Sequence, residues 1–287
     1  MDTGILFAVI SMLAFGLNGG VGRSVIRDLG PIKYGFYRNL VLTIVLAILL
    51  VFNWKQTNFD ITYLILAFVM SLIIFVGFYL SNKSVQKGRV GIVLPITSSR
   101  IILTTILAAV FLKEELTITQ YGLIFMIICG IVILSVNFKE LKTFSFSGKG
   151  IKEAIWAAVI FGVVMTFYGS IAKVLGPYLI GVMVEGFILI GCIMQLKYMG
   201  KQLTLTTEEW KTYGKSLVAI MILSIIGVYF SNMAYIQGST SIVTAISAAA
   251  PIVTTIYASY VHKEMLNFQE NIGMMVIFAG IIVLSSF

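Results

Sequence analysis

The sequence predicts an all-α integral membrane protein of ten transmembrane helices, arranged as two inverted five-helix repeats. Three observations carry that expectation. The chain is 59% hydrophobic and only 11% charged, with a mean hydropathy of +1.01. A soluble domain needs roughly 25% charged residues to cover its surface, so this surface is expected to face lipid. Apolar stretches of about 20 residues, the length that crosses a hydrocarbon core about 30 Å thick, recur along the chain. Residues 79–135 reappear as residues 229–285 at a constant offset of 150, which points to duplication of one structural unit.

In order, the expected spans are 3–26, 32–52, 61–81, 86–112 and 117–137, then 152–174, 178–197, 214–236, 239–261 and 269–286. No cleavage-site pattern follows the first, so it reads as a retained span and not a signal peptide. Gly30-Pro31 stops the first helix and starts the second, because proline suits a first helical turn; Gly176-Pro177 does the same in the second half. Residues 216–261 are uncharged and too long for one span. Gln237-Gly238-Ser239-Thr240 is their natural break, and Lys87-Gly88-Arg89 is its duplicate. The later spans match through Tyr79, Ser81 and Asn82 with Tyr229, Ser231 and Asn232. Thr104-Thr105 matches Thr254-Thr255, and Lys113-Glu114 matches Lys263-Glu264. Five spans per half is an odd number, so the second half is expected to enter the bilayer the other way up. The resulting units are a first repeat at 1–137, a linker at 138–151 and a second repeat at 152–287. Neither the linker nor the connection at 197–215 has room for a soluble catalytic or sensing domain.

Charge excludes further classes. The net +8 would suggest nucleic acid in a soluble protein, yet the basic residues lie mainly in short connections and form no patch interleaved with aromatics. No nucleic-acid partner is expected. Most Lys and Arg fall in loops after odd-numbered spans, and the positive-inside rule then places both termini outside. Cys129 and Cys192 sit in apolar stretches as small hydrophobes. With one histidine, His262, neither a zinc site nor a histidine triad can form, and no phosphate-binding glycine loop is present. No metal, cofactor or enzymatic activity is expected.

Few residues remain that can carry chemistry. Arg100 lies mid-span, eleven residues after Arg89, with Thr97 and Thr104 on its face and Ser98 and Ser99 beside it. A guanidinium at that depth costs about 2.5 kcal/mol or much more, so it should face the bundle interior. There it meets a substrate, a carboxylate or helix-end carbonyls. Arg38, near the start of span 2, either faces a cavity or snorkels to the headgroups. Glu185, mid-span in span 7, either neutralises one of these arginines or titrates and couples proton movement. Asn18 shares a stripe of helix 1 with Ser11 and Gly22. Asn82 and Asn232 read as caps of the short turns that follow them. Ser247 lies on a narrow helix with Ala248, Ala249, Ala250 and Pro251; the proline is expected to bend it, whereas the counterpart Ile101 is not. Tyr229, Tyr235, Tyr168 and Trp156 either stack on an aromatic substrate or pack as ordinary rings. Glu114 and Glu264 read as surface ion pairs with Lys113 and Lys263.

Taken together, these features resemble the drug/metabolite transporter superfamily, and more closely its ten-helix EamA-type transporters. The likeness is carried by Thr254-Thr255 through His262-Lys263-Glu264 and then Gly280-Ile281-Ile282-Val283-Leu284-Ser285. Gln237-Gly238 through Ser285 is also similar to the final helices of small multidrug-resistance proteins. The resemblance implies a cavity between the repeats, walled by helices 1, 3, 4, 6, 8 and 9, with Asn18 and Arg100 as contacts. It also implies cytoplasmic termini, opposite to the charge count. Ile101 departs from a proline common in relatives, and helix 1 lacks the proton-coupling acid of the small multidrug-resistance proteins.

The expected function is a secondary transporter or facilitative exporter of a small polar metabolite by alternating access. An amino acid or related zwitterion or anion is the leading cargo class. Its pathway would draw on Asn18, Arg38, Thr97, Arg100, Thr104, Glu185, Tyr229 and Ser247. A phosphorylated-sugar or nucleotide-sugar antiporter competes, as does a membrane scaffold. The expected setting is multi-pass in the plasma membrane, as a monomer or weak homodimer among lipids.

Overall fold

The computed structural model describes residues 2–88, 90–135, 149–262 and 268–284. Among these residues it is all helical: α1 (Thr3–Leu29), α2 (Pro31–Phe52), α3 (Ile61–Lys87), α4 (Val90–Ser98), α5 (Arg100–Leu107), α6 (Ile118–Ser135), α7 (Ile151–Tyr198), α8 (Thr207–Gln237), α9 (Thr240–Ala248), α10 (Ala250–His262) and α11 (Phe268–Leu284). Seven helical stretches are long and apolar enough to cross a membrane, and two more, Ile118–Leu134 and Phe268–Leu284, are apolar but shorter. Large apolar side chains such as Phe125, Val110, Met275 and Ile282 point outward, as a lipid-facing surface requires. Most of the expected linker, Arg89, Lys263, Glu264 and Ser285 lie outside the described residues.

The helix boundaries follow from local chemistry. Asp2 and Asp60 accept backbone N–H bonds at the starts of α1 and α3, and Thr206 with Glu209 forms a reciprocal cap on α8. Gly30 adopts φ 85°, ψ 159° between α1 and α2, and Gly176 adopts φ 80°, ψ 166° inside α7. A side chain is strained at that positive φ, so glycine supplies the sharp corner and the following proline restarts the helix. The 48-residue α7 is therefore two helical segments meeting at Gly176.

One expectation about helix breaks is corrected. Pro251 was expected to bend the second half alone, yet the helix breaks at Ser99 in the first half and at Ala249 in the second, positions related by the offset of 150. Ser99 N–H bonds to Ile96 O and Ile102 N–H to Ser99 O, as Ala249 N–H bonds to Ile246 O and Ile252 N–H to Ala249 O. These shortened bonds tighten the backbone equally in both halves, so the proline is not what sets the break.

Packing repeats in the same way. The Thr254 hydroxyl donates to Gly16 O at 2.8 Å, and the Thr104 hydroxyl donates to Gly162 O at 3.0 Å. A side-chain carbon at Gly16 would strike Ala250 O and Val253, and one at Gly162 would strike Leu103. The backbone of Gly4 lies against Gly238, and that of Gly150 lies against Gly88. Accordingly α1 packs on α8, α9 and α10, while α7 packs on α3, α4 and α5. Small residues at these crossings let the helices approach closely where hydrocarbon offers no hydrophobic drive.

Candidate functional site

Between α1, the α2–α5 segment and α7–α10 lies a cavity of about 310 Å³. Apolar walls come from Phe15, Phe78, Leu94, Phe161, Met165 and Val228. Thr97, Ser98, Arg100 and Ser247 also line it, from α4, α5 and α9. So do Arg38 and Glu185. Helix 2 and the part of α7 beyond Gly176 thus join the expected walls by contributing these last two residues.

Arg38 does not snorkel. It is 7% exposed and Glu185 is 5% exposed; Arg38 Nη1 donates to Glu185 Oε2 at 2.8 Å and to Asn39 Oδ1 at 2.6 Å. Its guanidinium also lies 5.4 Å from the Phe78 ring centre. A buried pair needs such satisfied geometry, because desolvating both charges is expensive. Of the two arginines offered to Glu185 by the sequence, it takes Arg38.

Arg100 is left without a carboxylate among the described residues. Its guanidinium stands 5.9 Å from the Phe161 ring centre and lines the cavity. Ser247 belongs to the same lining, and its hydroxyl is buried without a hydrogen-bond partner. A planar cation with several donors and no carboxylate partner is suited to holding an anion. Thr97 reaches the cavity too, although its hydroxyl already bonds to Val93 O.

Three expected contacts lie outside the cavity lining. Asn18 lies outside the cavity lining: its Nδ2 donates to Ser224 Oγ at 2.6 Å and Ile220 O at 3.3 Å, and Tyr34 donates to its Oδ1 at 2.9 Å. With both amide donors bonded to protein and the oxygen accepting from Tyr34, it ties α1 to α8. Thr104 has used its hydroxyl on Gly162 O, as above, and does not line the cavity. Tyr229 packs against Tyr178 and Phe230, with ring centres 6.0 and 5.2 Å away, and also stays out of the lining.

The duplicated asparagines were misread as turn caps. Asn82 donates back to Phe78 O within its own helix. Asn232 lines the cavity, accepts from the Tyr168 hydroxyl at 2.6 Å and donates to Pro177 O at 2.8 Å, pinning the corner of α7 to α8. Ser81 and Ser231, matched across the repeat, both line the cavity. Their duplicated Ser-Asn pairs were the signal that pointed to these positions. Glu114 is likewise no surface partner of Lys113. It accepts from Thr240 N–H at 2.5 Å, Ser241 N–H at 3.1 Å and the Ser241 hydroxyl at 2.7 Å, capping α9 from the opposite half. Negative charge is favoured there by the helix dipole and its unpaired amides. Its duplicate Glu264 lies outside the described residues.

An outward apolar belt around a central cavity with buried charges defines a multi-pass membrane protein of the transporter class. Residues 2–136 and 148–286 each match the EamA-like transporter family, and the chain belongs to that family. An uncharacterized transporter of Archaeoglobus fulgidus is 22% identical, covering 98% of this chain and 97% of its own length. An uncharacterized protein of Methanocaldococcus jannaschii is 28% identical across 48% of this chain but 99% of its own length. One solved crystal structure has the same fold, with a TM-score of 0.76 at 14% identity, covering 99% of this chain and 98% of its own.

Proposed function

We propose that this protein is a secondary transporter or facilitative exporter of a small, carboxylate-bearing polar metabolite, an amino acid or related zwitterion or anion. The observation that carries the reading is Arg100, a cation with no carboxylate partner among the described residues, facing a central cavity. A charge at that depth is costly and is retained where a pathway uses it.

Ten crossings in two inverted repeats are the architecture we assign. Counting α7 as two segments at Gly176, α4 with α5 as one span and α9 with α10 as another gives that number. The matched contacts Thr254 to Gly16 and Thr104 to Gly162 support it, as does the half-length relative. The repeats then rock about the cavity to open it to each side in turn. Residence in the plasma membrane, no cofactor and no catalysis complete the assignment, with a monomer or weak homodimer as the working unit.

A phosphorylated-sugar or nucleotide-sugar cargo is the second reading, and it needs two free cations. Arg38 is committed to Glu185, which weighs against it. The same pairing supports a structural role for Glu185 over a free proton site. A scaffold has no use for an unpaired interior arginine. The test is uptake and efflux of a mixed metabolite panel by the purified protein in liposomes, with and without a proton gradient. Flux of at least one carboxylate supports the assignment; exclusive flux of sugar phosphates, or none of any class, overturns it.

A further inference from the structure

We infer that the cargo is a monoanionic carboxylic acid with an apolar body, and that zwitterionic amino acids are discriminated against. The inference rests on the transport reading and narrows it. Three ionisable groups other than tyrosines line the cavity among the described residues: Arg38, Glu185 and Arg100. Glu185 cancels Arg38 at 2.8 Å, so the cavity holds one uncompensated positive charge. A cargo with one net negative charge neutralises it; a zwitterion leaves it standing.

The carboxylate's place is beside Arg100, whose guanidinium has no carboxylate partner among the described residues; Ser247, in the same lining, carries a buried hydroxyl without a partner. An α-ammonium lies next to the carboxylate that carries it, so it would be drawn in beside Arg100, a like charge. The one carboxylate in the lining is already bonded to Arg38. The Phe161 face, which would otherwise receive a cation, is occupied by Arg100 itself. An ammonium would therefore lose its water with no anion to replace it, and burying an unpaired charge is strongly unfavourable. The apolar part of the wall, Phe15, Phe78, Leu94, Met165 and Val228, suits a hydrocarbon body, while Ser81, Ser231 and Asn232 line another part. A cavity of about 310 Å³ has room for a small acid bearing a ring or branched chain.

The experiment pairs molecules that differ in the ammonium group: 3-phenylpropionate with phenylalanine, and 4-methylpentanoate with leucine. Binding to the purified full chain and flux in liposomes are both measured, with phenethylamine as the cationic control. The acids are expected to bind at least about tenfold tighter than their amino acids, the scale of one hydrogen bond to a charged group. Ser247→Ala is expected to weaken the acids severalfold without lowering the melting temperature, and Arg100→Gln to abolish the preference. Equal or tighter binding of the amino acids overturns the inference, as does binding of neither member of each pair. Acid binding without flux overturns the transport reading and leaves the cargo class standing; flux confined to amino acids does the reverse.

Discussion

Glu185 meets Arg38 at 2.8 Å in a site where both are almost wholly buried, and that choice of partner leaves Arg100 as the cation facing the cavity. Had Glu185 turned to Arg100, Arg38 would be the free charge and the anion site would move to the other wall. The pair also links α2 to the far segment of α7. Removing one member exposes the other, and such losses typically cost about 3–5 kcal/mol. Glu185→Gln is expected to lower the melting temperature sharply. Arg38→Leu with Glu185→Leu together should cost less than the sum of the single changes. Thermal unfolding of Glu185→Gln and of the parent, the two single leucine variants and the double variant in detergent checks this, and additive losses in the leucine cycle would show that the two side chains act independently.

The Asn18 amide joins α1 to α8 and to Tyr34 without entering the cavity. Asn18→Ala leaves the Ser224 and Tyr34 hydroxyls short of a partner, and each such loss is worth about 1–3 kcal/mol. Stability should fall while the affinity of the remaining folded protein for cargo stays unchanged. An affinity loss with normal stability would put Asn18 back among the contacts.

Glycine positions separate close crossings from open surface. Gly162 faces Leu103 too closely for a side chain, whereas a side-chain carbon at Gly122 would meet nothing within 4 Å. Gly162→Ala is therefore expected to lower the melting temperature. Gly122→Ala should leave it unchanged or raise it, since alanine favours a helix over glycine by about 1 kcal/mol. Equal responses at the two positions would contradict the packing described here.

Glu114 caps α9 with three bonds from residues of the other half. Loss of a capping side chain costs about 0.5–2 kcal/mol. Glu114→Ala is expected to lose that amount, and Glu114→Gln, which keeps an acceptor, to lose less. Identical stability of Glu114→Ala and the parent chain would remove the cap from the account.

The sequence exposed most of what repeats. Gly30-Pro31, Gly176-Pro177 and the breaks after Lys87 and Gln237 were legible because glycine and proline act locally on the backbone. The interior placement of Arg100 and Glu185 was legible because a charge among apolar residues has few places to go, whereas Arg38, near a helix start, could equally have snorkelled. Which carboxylate meets which arginine was not, since that depends on where α7 turns after Gly176. Asn18, Thr104 and Tyr229 were assigned to the cavity for being polar or aromatic on interior faces. Their bonds to Ser224, Gly162 O and the Tyr178 ring are tertiary, and no periodicity reports them. Asn232 failed in the opposite sense: its helix-end position resembled a cap, and its reach to Pro177 O emerges only when α7 bends.

Flux of a cavity-sized carboxylate through liposomes holding equal amounts of folded parent protein and Arg100→Ala bears most directly on the whole account. Loss of at least about tenfold in initial rate is predicted, given the strength of guanidinium–carboxylate bonding. Undiminished flux in Arg100→Ala would mean that cargo crosses without meeting this cation.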